Sequence, residues 1–284
     1  LSSVEKIIMY MDVVYDMLTA VDKISHVTDL PLEKSGGIDV PKAMLGRGFG
    51  IQTKELKYRF PNQSGHALNG VSLEIKGGER VCIAGGGSSG KTVLTNTIAG
   101  INTNYEGIIT MDGFSLRDLD LSNLRDKIGK NVSQEDIFEG TIIENILLAK
   151  PNAQPADAIW AINMVGIADE INSMPDGLDT AMVAGGKGLA TSLVNKIILA
   201  RCLAKRPNLL ILNDFFNDFL KSERLDLIHM LTRSEQPWTL LVVSNDPVIM
   251  ATCDRVLLME HGKLIADGPF ENLVKSGEIN AIIN

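Results

Sequence analysis

Residues 85–92 read Gly85-Gly86-Gly87-Ser88-Ser89-Gly90-Lys91-Thr92, a full match to the pattern G-x-x-x-x-G-K-[ST]. Glycines allow the backbone to turn so that successive N–H groups point inward and form a nest for an anion. The helix that follows adds the positive end of its dipole to this nest. In this pattern the lysine reaches the β- and γ-phosphates of a nucleotide, and the hydroxyl binds Mg²⁺. The stretch therefore predicts a site for a nucleoside triphosphate, with Lys91 and Thr92 in these roles.

The sequence on either side of this loop supplies the strand and helix that the mechanism requires. Residues 80–84 are a short apolar run, typical of a buried parallel strand, and residues 92–99 predict a helix that Gly100 closes. Strands alternating with helices indicate a mainly parallel sheet with helices on both faces. The other predicted elements are strands at 51–60, 68–75, 209–212 and 238–244, a hairpin at 255–260 and 263–266, a helical segment at 151–171, and a helix after Leu193 that ends at Pro207.

Composition excludes several classes of protein. The chain has 284 residues, of which 45% are hydrophobic and 22% charged, so it can bury a proper core. Its net charge of −8 and the lack of a basic stripe argue against a nucleic-acid binder. The sequence contains no run of 18 or more apolar residues, so it predicts no membrane-spanning helix. The spacing of Cys82, Cys202 and Cys253 does not suggest a metal site, and thiols in apolar runs indicate a reducing compartment.

The first thirty residues have a different character from the rest. Residues 6–24 contain no Gly or Pro, and apolar residues recur at steps of three and four, which predicts one amphipathic helix that Pro31 ends. The helix is either a packed element of the domain behind it or the end of a helix from another domain. Because the chain begins with Leu1, we expect it to be a piece of a longer protein.

Several segments in order along residues 48–284 resemble the ATP-binding domain of ABC transporters of the exporter type. Tyr58-Arg59-Phe60-Pro61 lies where that family has an aromatic residue that stacks on adenine, which by position is Phe60. Residues 133–142 resemble the family's Q-loop, in which Gln134 would contact the metal ion and the attacking water. Residues 174–180 resemble the approach to the signature motif, residues 197–207 the helix after it, and residues 254–268 the end of the domain.

The resemblance implies an α/β fold. This fold has a P-loop NTPase core (a mainly parallel sheet flanked by helices), an antiparallel β flap, and a helical subdomain at about residues 135–190. Residues 1–45 would be the cytosolic extension of a transmembrane helix plus a linker, and residues 46–284 the ATP-binding domain. Thr92 and Gln134 would bind Mg²⁺. The residues that would bind ATP are Phe60, Gly85, Gly86, Gly87, Ser88, Ser89, Gly90, Lys91, Thr92, Val93, Gln134 and Asn245.

Four positions that carry catalytic chemistry in the family are altered here. In the family an apolar strand ends in an Asp that holds Mg²⁺ through water and a Glu that polarises the attacking water, whereas here Asn213 and Asp214 follow Leu212. Asn213 contributes no charge, and Asp214 is one methylene shorter than Glu. Asn245 replaces the switch His; it can donate a hydrogen bond to a γ-phosphate but cannot carry a positive charge. Leu220 occupies the place of the D-loop Asp.

The signature segment is the most altered. The family has Leu-Ser-Gly-Gly-Gln, and this chain has Leu189-Ala190-Thr191-Ser192-Leu193. Ala190 lacks the hydroxyl that would donate to a γ-phosphate, and Thr191 and Ser192 replace the glycines that let N–H groups approach it. The segment could also simply be the start of a helix.

These features together predict Mg-ATP binding with slow or absent hydrolysis at the Lys91 site. By resemblance, the partners would be a membrane-spanning domain of the same polypeptide and a second ABC ATP-binding domain, identical or different. The location would be the cytoplasmic face of the cell membrane. One alternative is a fully active transport ATPase with Asp214 as the catalytic residue. Another is a structural or regulatory domain with a vestigial P-loop, while a soluble P-loop kinase would leave the exporter-like segments unexplained.

Overall fold

The computed structural model describes residues 2–29, 33, 36–61, 63–131, 137–148 and 153–279. The chain divides into two compact units, residues 1–36 and residues 37–284. The first unit contains α1 (Ser2–Thr28), which confirms the predicted helix, while Pro31 lies outside the described residues. None of the helices in the described part of the chain combines the length and apolarity needed to cross a lipid bilayer.

The second unit alternates strands and helices along the chain. Its strands are β1 (Ile51–Tyr58), β2 (Leu68–Ile75), β3 (Arg80–Gly85), β4 (Glu106–Met111), β5 (Phe114–Ser115), β6 (Ile128–Lys130), β7 (Gly140–Thr141), β8 (Ala181–Met182), β9 (Leu209–Asn213), β10 (Thr239–Val243), β11 (Arg255–Glu260) and β12 (Lys263–Gly268). Its α-helices are α2 (Lys91–Ile98), α3 (Leu121–Arg125), α4 (Ile142–Leu147), α5 (Pro155–Val165), α6 (Ala168–Asn172), α7 (Thr191–Ala204), α8 (Lys221–Thr232), α9 (Pro247–Thr252) and α10 (Phe270–Ser276).

The predicted sheet is confirmed. Among the described residues, six strands form one sheet in the order β12-β11-β3-β10-β9-β6, and every neighbouring pair is parallel except β11 and β12. A second sheet, in the order β2-β1-β4-β5, is antiparallel and is the predicted flap. The P-loop follows β3, which lies between β11 and β10.

The central sheet is buried on both faces, which explains the continuous apolar runs of its strands. Val81 and Ile83 of β3 pack in one core with the flap and α2. Cys82 and Ala84 point the other way, into a second core with α4, α5 and α7. Because successive side chains alternate between faces, β3, β9, β10 and β11 contribute to both cores, and β3 holds the loop at its carboxyl end in a fixed place.

A divided helix and an additional flap strand are two of the points at which the structure differs from the sequence-based expectation. The helical segment predicted at 151–171 is divided into α5 and α6, because Gly166 adopts a left-handed conformation with φ of 76° and ends α5. Strand β4 was not predicted, since it contains Gly107, a residue that usually weakens strands. Gly107 has a φ of 91°, and a Cβ there would lie 2.5 Å from the Glu55 carbonyl oxygen, so the close approach of β1 requires glycine.

Candidate functional site

The P-loop has a backbone path that two of its glycines make possible. Gly85 has a φ of 151°, and a Cβ at this position would lie 2.3 Å from the Met259 carbonyl oxygen. Gly90 precedes α2 with a φ of 100°, and a Cβ there would lie 2.6 Å from the Ala67 carbonyl oxygen. Neither position accommodates a side chain without a shift of backbone. Substitution at either glycine would therefore move the loop away from its neighbours.

The middle of the loop faces open space. A Cβ at Gly86 or Gly87 would meet no atom within 4 Å, whereas the neighbouring Ser89 is held by its carbonyl, which accepts from the Gly262 N–H at 3.1 Å. The first N–H groups of α2 have no partner within the helix, as at every helix N-terminus. The open cradle and these donors fit the phosphates of a nucleotide.

Lys91 lies folded over the loop. Its Nζ donates to the carbonyl oxygens of Gly85 and Gly86, both at 2.7 Å, and to Ser89 Oγ at 3.3 Å. Burial lowers the pKa of Lys91 from its ordinary value, and the negative charge of Asp214 opposes that shift. The ammonium group therefore already lies among hydrogen-bond acceptors of the loop and interacts electrostatically with the Asp214 carboxylate.

A cleft of about 420 Å³ extends from the P-loop to the flap. Residues 88–93 form one side, and Phe60 lies on the other with its side chain 37% exposed. The Phe60 ring contacts Tyr58 edge-to-face, with 5.2 Å between the ring centroids. Because Tyr58 packs against the buried core, Phe60 is held ready to stack on a planar base.

The last residue of β9, Asn213, is neutral and is already hydrogen-bonded. Asn213 Oδ1 accepts from Thr95 Oγ1 of α2 at 3.3 Å. The Asn131 side chain bonds both backbone groups of Asn213, accepting from its N–H at 2.7 Å and donating to its carbonyl at 3.0 Å. Asp214 is exposed and has a φ of 47°, while its N–H donates to the Val243 carbonyl at 3.0 Å. The carboxylate at this edge of the sheet thus belongs to Asp214 alone among these residues.

Thr92 and Asp214 offer oxygen ligands that suit Mg²⁺. The structure places the Thr92 hydroxyl at the exposed start of α2, and Asp214 supplies a carboxylate whose charge reaches Lys91. Mg²⁺ commonly binds through one or two protein oxygens together with phosphate oxygens and waters, which this donor set fits. No group of three or more His, Cys, Asp or Glu side chains that could hold a metal by itself occurs among the described residues. Gln134 lies outside the described residues.

The Asn245 side chain lies against the start of the P-loop. Its Oδ1 accepts from the Gly85 N–H at 3.0 Å, and its Nδ2 donates to the Gly85 carbonyl at 3.1 Å. The carboxamide is therefore paired with both backbone groups of the first P-loop glycine.

The signature segment forms the start of α7, as one of the sequence-based alternatives expected. Ala190 is the N-cap residue and has no side chain that could cap the helix, while Leu193 is buried in the core. In α7, Asn195 donates to the Asp218 carboxylate at 3.1 Å, which connects this helix to residues 214–220. Leu220, at the expected D-loop position, is 73% exposed.

Comparison with known proteins agrees with the P-loop and the fold described above. A model of the ABC transporter family matches residues 68–217, just over half of the chain, and includes the P-loop, α7 and β9. The chain belongs to the ABC transporter family. Its fold is that of a solved bacterial Atm1-family ABC exporter with ATP bound, with a TM-score of 0.80 and 22% identity over 93% of this chain and 46% of that one.

Two curated relatives are similar to most of this chain. An ATP-dependent lipid A-core flippase of Chromobacterium violaceum is 28% identical over 93% of this chain and 45% of its own length. The mycobactin import ATP-binding/permease protein IrtB of Mycolicibacterium thermoresistibile is 25% identical over 90% of this chain and 44% of its own length. The chain spans less than half the length of these relatives.

Sequence reasoning missed several residues that hold the site in place. The Asn131 side chain accepts from the Asn213 N–H, and Thr95 donates to the Asn213 side chain. The Gly262 N–H donates to the Ser89 carbonyl. Each of these contacts joins residues far apart in the chain, so no local pattern indicates them.

Proposed function

We propose that residues 37–284 bind Mg-ATP at the P-loop and hydrolyse it slowly or not at all. The observation that carries this proposal is the difference between the P-loop and the end of β9. The P-loop has its full set of glycines, its lysine and its hydroxyl, whereas Asn213 places a neutral amide, already bonded to Thr95, at the end of β9.

Each P-loop group has a defined part in binding. Backbone N–H groups of residues 86–93 would hold the phosphates, and Lys91 would exchange its carbonyl acceptors for phosphate oxygens. Thr92 and Asp214 would hold Mg²⁺, with Gln134 as a further ligand by family resemblance, and the ion would neutralise charge on the phosphates. Phe60 would stack on the base.

Slow hydrolysis follows from which contacts are missing. Interactions that strengthen only in the transition state raise the rate, while ground-state phosphate contacts give affinity. Asn213 removes a charge near the metal, and Asp214 is too short to place its carboxylate where Glu would. A misplacement of about 1 Å can lower a catalysed rate on the order of a hundredfold.

The wider assembly is part of the same proposal. Two such domains would pair head-to-tail, each ATP lying between one P-loop and the partner's signature segment, so that nucleotide binding drives dimerisation. The lengths of the relatives support a membrane-spanning domain in the same polypeptide, with residues 1–45 as its cytosolic extension and linker. The domain would then lie at the cytoplasmic face of the membrane as part of an exporter-type transporter, with its helical subdomain at about residues 135–190.

Calorimetry and phosphate release on one preparation test this proposal. With Mg-ATP, we expect binding in the micromolar to millimolar range and phosphate release near background. Robust release that Lys91→Ala abolishes would show an active ATPase and contradict the account. A domain with a vestigial P-loop would instead show no rise in melting temperature with millimolar nucleotide, although a real site is stabilised by RT ln(1 + [L]/Kd).

A further inference from the structure

Asn245 makes two hydrogen bonds to Gly85 that a γ-phosphate contact, the role suggested by the family resemblance, does not explain. Its carboxamide accepts from the Gly85 N–H at 3.0 Å and donates to the Gly85 carbonyl at 3.1 Å. A carboxamide offers one acceptor and one donor side by side, which matches the donor and acceptor of a single residue's backbone. An alanine offers neither group, and a leucine fills similar space without either group.

Gly85 is the residue at which β3 becomes the P-loop. Its φ of 151°, and the 2.3 Å that would separate a Cβ here from the Met259 carbonyl oxygen, mean that only glycine fits this backbone. The Gly85 carbonyl accepts from both Asn245 Nδ2 at 3.1 Å and Lys91 Nζ at 2.7 Å. When Lys91 turns to a phosphate, Asn245 keeps this carbonyl paired, so the loop need not rearrange as the nucleotide binds.

Asn245 is itself held by its neighbours. The Ser244 N–H donates to the Ile83 carbonyl at 3.2 Å, and the Asp246 N–H donates to Ser244 Oγ at 3.1 Å. Asp246 pairs with Arg224 of α8 at 2.8 Å. A side chain mounted on this anchored segment is suited to fix the position of the loop.

We propose that Asn245 is a positioning residue that holds the entrance of the P-loop and does not read the γ-phosphate. This inference rests on the proposed nucleotide binding. Because the loop cradles phosphates that both nucleotides carry, Asn245 supports Mg-ADP and Mg-ATP alike. Its loss should therefore weaken both by the same factor, whereas loss of a γ-phosphate contact would weaken Mg-ATP alone.

The test compares Asn245→Ala and Asn245→Leu with the unaltered chain. Dissociation constants for Mg-ADP and Mg-ATP are measured by calorimetry, and amide hydrogen exchange of residues 85–90 is followed without nucleotide. We expect both dissociation constants to rise about tenfold, with an unchanged ratio, since two hydrogen bonds to the loop are lost. Exchange in residues 85–90 should accelerate.

Asn208→Ala is the matched control. Asn208 is buried and its Nδ2 donates to the Met44 carbonyl at 3.2 Å, away from the P-loop. This change should lower the melting temperature but leave exchange in residues 85–90 and both dissociation constants unchanged.

Three results would overturn the inference. These are a loss confined to Mg-ATP, unchanged affinities in both Asn245 variants, or unchanged exchange in residues 85–90. If the unaltered chain binds neither nucleotide, the proposed function fails, and the exchange measurement still decides whether Asn245 holds the loop.

Discussion

The P-loop differs from the end of β9 and the signature segment in the groups that it offers to a nucleotide. On the P-loop side, Gly85 and Gly90 adopt conformations that only glycine accommodates, and Lys91 lies among acceptors that a phosphate can replace. At the end of β9, by contrast, Asn213 is neutral, and in the signature segment Ala190 begins α7 without a side-chain cap. This difference underlies the proposal that the domain binds a nucleoside triphosphate and hydrolyses it slowly or not at all.

Two glycines of the loop give the largest expected contrast. Gly85→Ala should destabilise the folded domain by about 3 kcal/mol or more, because the new Cβ meets the Met259 carbonyl and the backbone is one that glycine alone adopts. Gly86→Ala, only one residue away, places its Cβ in open space. Urea unfolding of both variants checks this, and equal stabilities would mean that the loop is not held as described.

Lys91→Ala sharpens the comparison on the binding side. Loss of a charged donor to the phosphates should lower Mg-ATP affinity on the order of a hundredfold, since such hydrogen bonds contribute about 1.5–3 kcal/mol each. The exposed Lys263→Ala is a control that removes the same charge elsewhere. Calorimetric titration that gives the two variants the same affinity would exclude the P-loop as the nucleotide site.

Phe60→Ala tests the far wall of the cleft. Base stacking on an aromatic ring contributes about 1–3 kcal/mol, so we expect affinity for Mg-ATP to fall roughly tenfold. Phe114→Ala is matched to it, because the two side chains are 37% and 38% exposed and Phe114 lies in β5 of the same flap. Fluorescent-nucleotide binding compares them, and an unchanged affinity in Phe60→Ala would place the base elsewhere.

Asp214→Asn is expected to have the smallest effect, measured as the rate of phosphate release. If hydrolysis is already near background, phosphate release should stay within about twofold, whereas removal of a working general base lowers a rate by about 10²–10⁴. Phosphate release from this variant is compared with that of Asp169→Asn, an exposed carboxylate in α6. A hundredfold loss specific to Asp214 would identify an active ATPase.

The sequence predicts the features that depend on local constraints. Residues 80–99 indicate a strand, a phosphate loop and a helix because the apolar run, the glycines and the lysine lie within a few residues of one another. The apolar runs of β3, β9 and β10 predict the parallel sheet for the same reason. Strand β4 escapes prediction because Gly107 is required by its neighbour β1, which sequence alone does not place beside it.

The contacts that arrange the site are long-range. Asn245 and Gly85 are 160 residues apart, and Asn131 and Asn213 are 82 apart, so these pairs exist only because their strands are neighbours in the sheet. The family resemblance suggests a γ-phosphate contact for Asn245, and the structure adds its two hydrogen bonds to Gly85, from which we propose a positioning role. Residue type alone could not distinguish these roles, since a carboxamide suits either.

The most direct test is the chemical identity of the nucleotide that stays on the protein. The domain is incubated with Mg-ATP labelled on the γ-phosphate, separated rapidly from free nucleotide, and the bound fraction is analysed by chromatography over a time course. We predict that the bound fraction remains ATP with its label throughout. Steady conversion to bound ADP with released phosphate, lost in Lys91→Ala, would contradict the account.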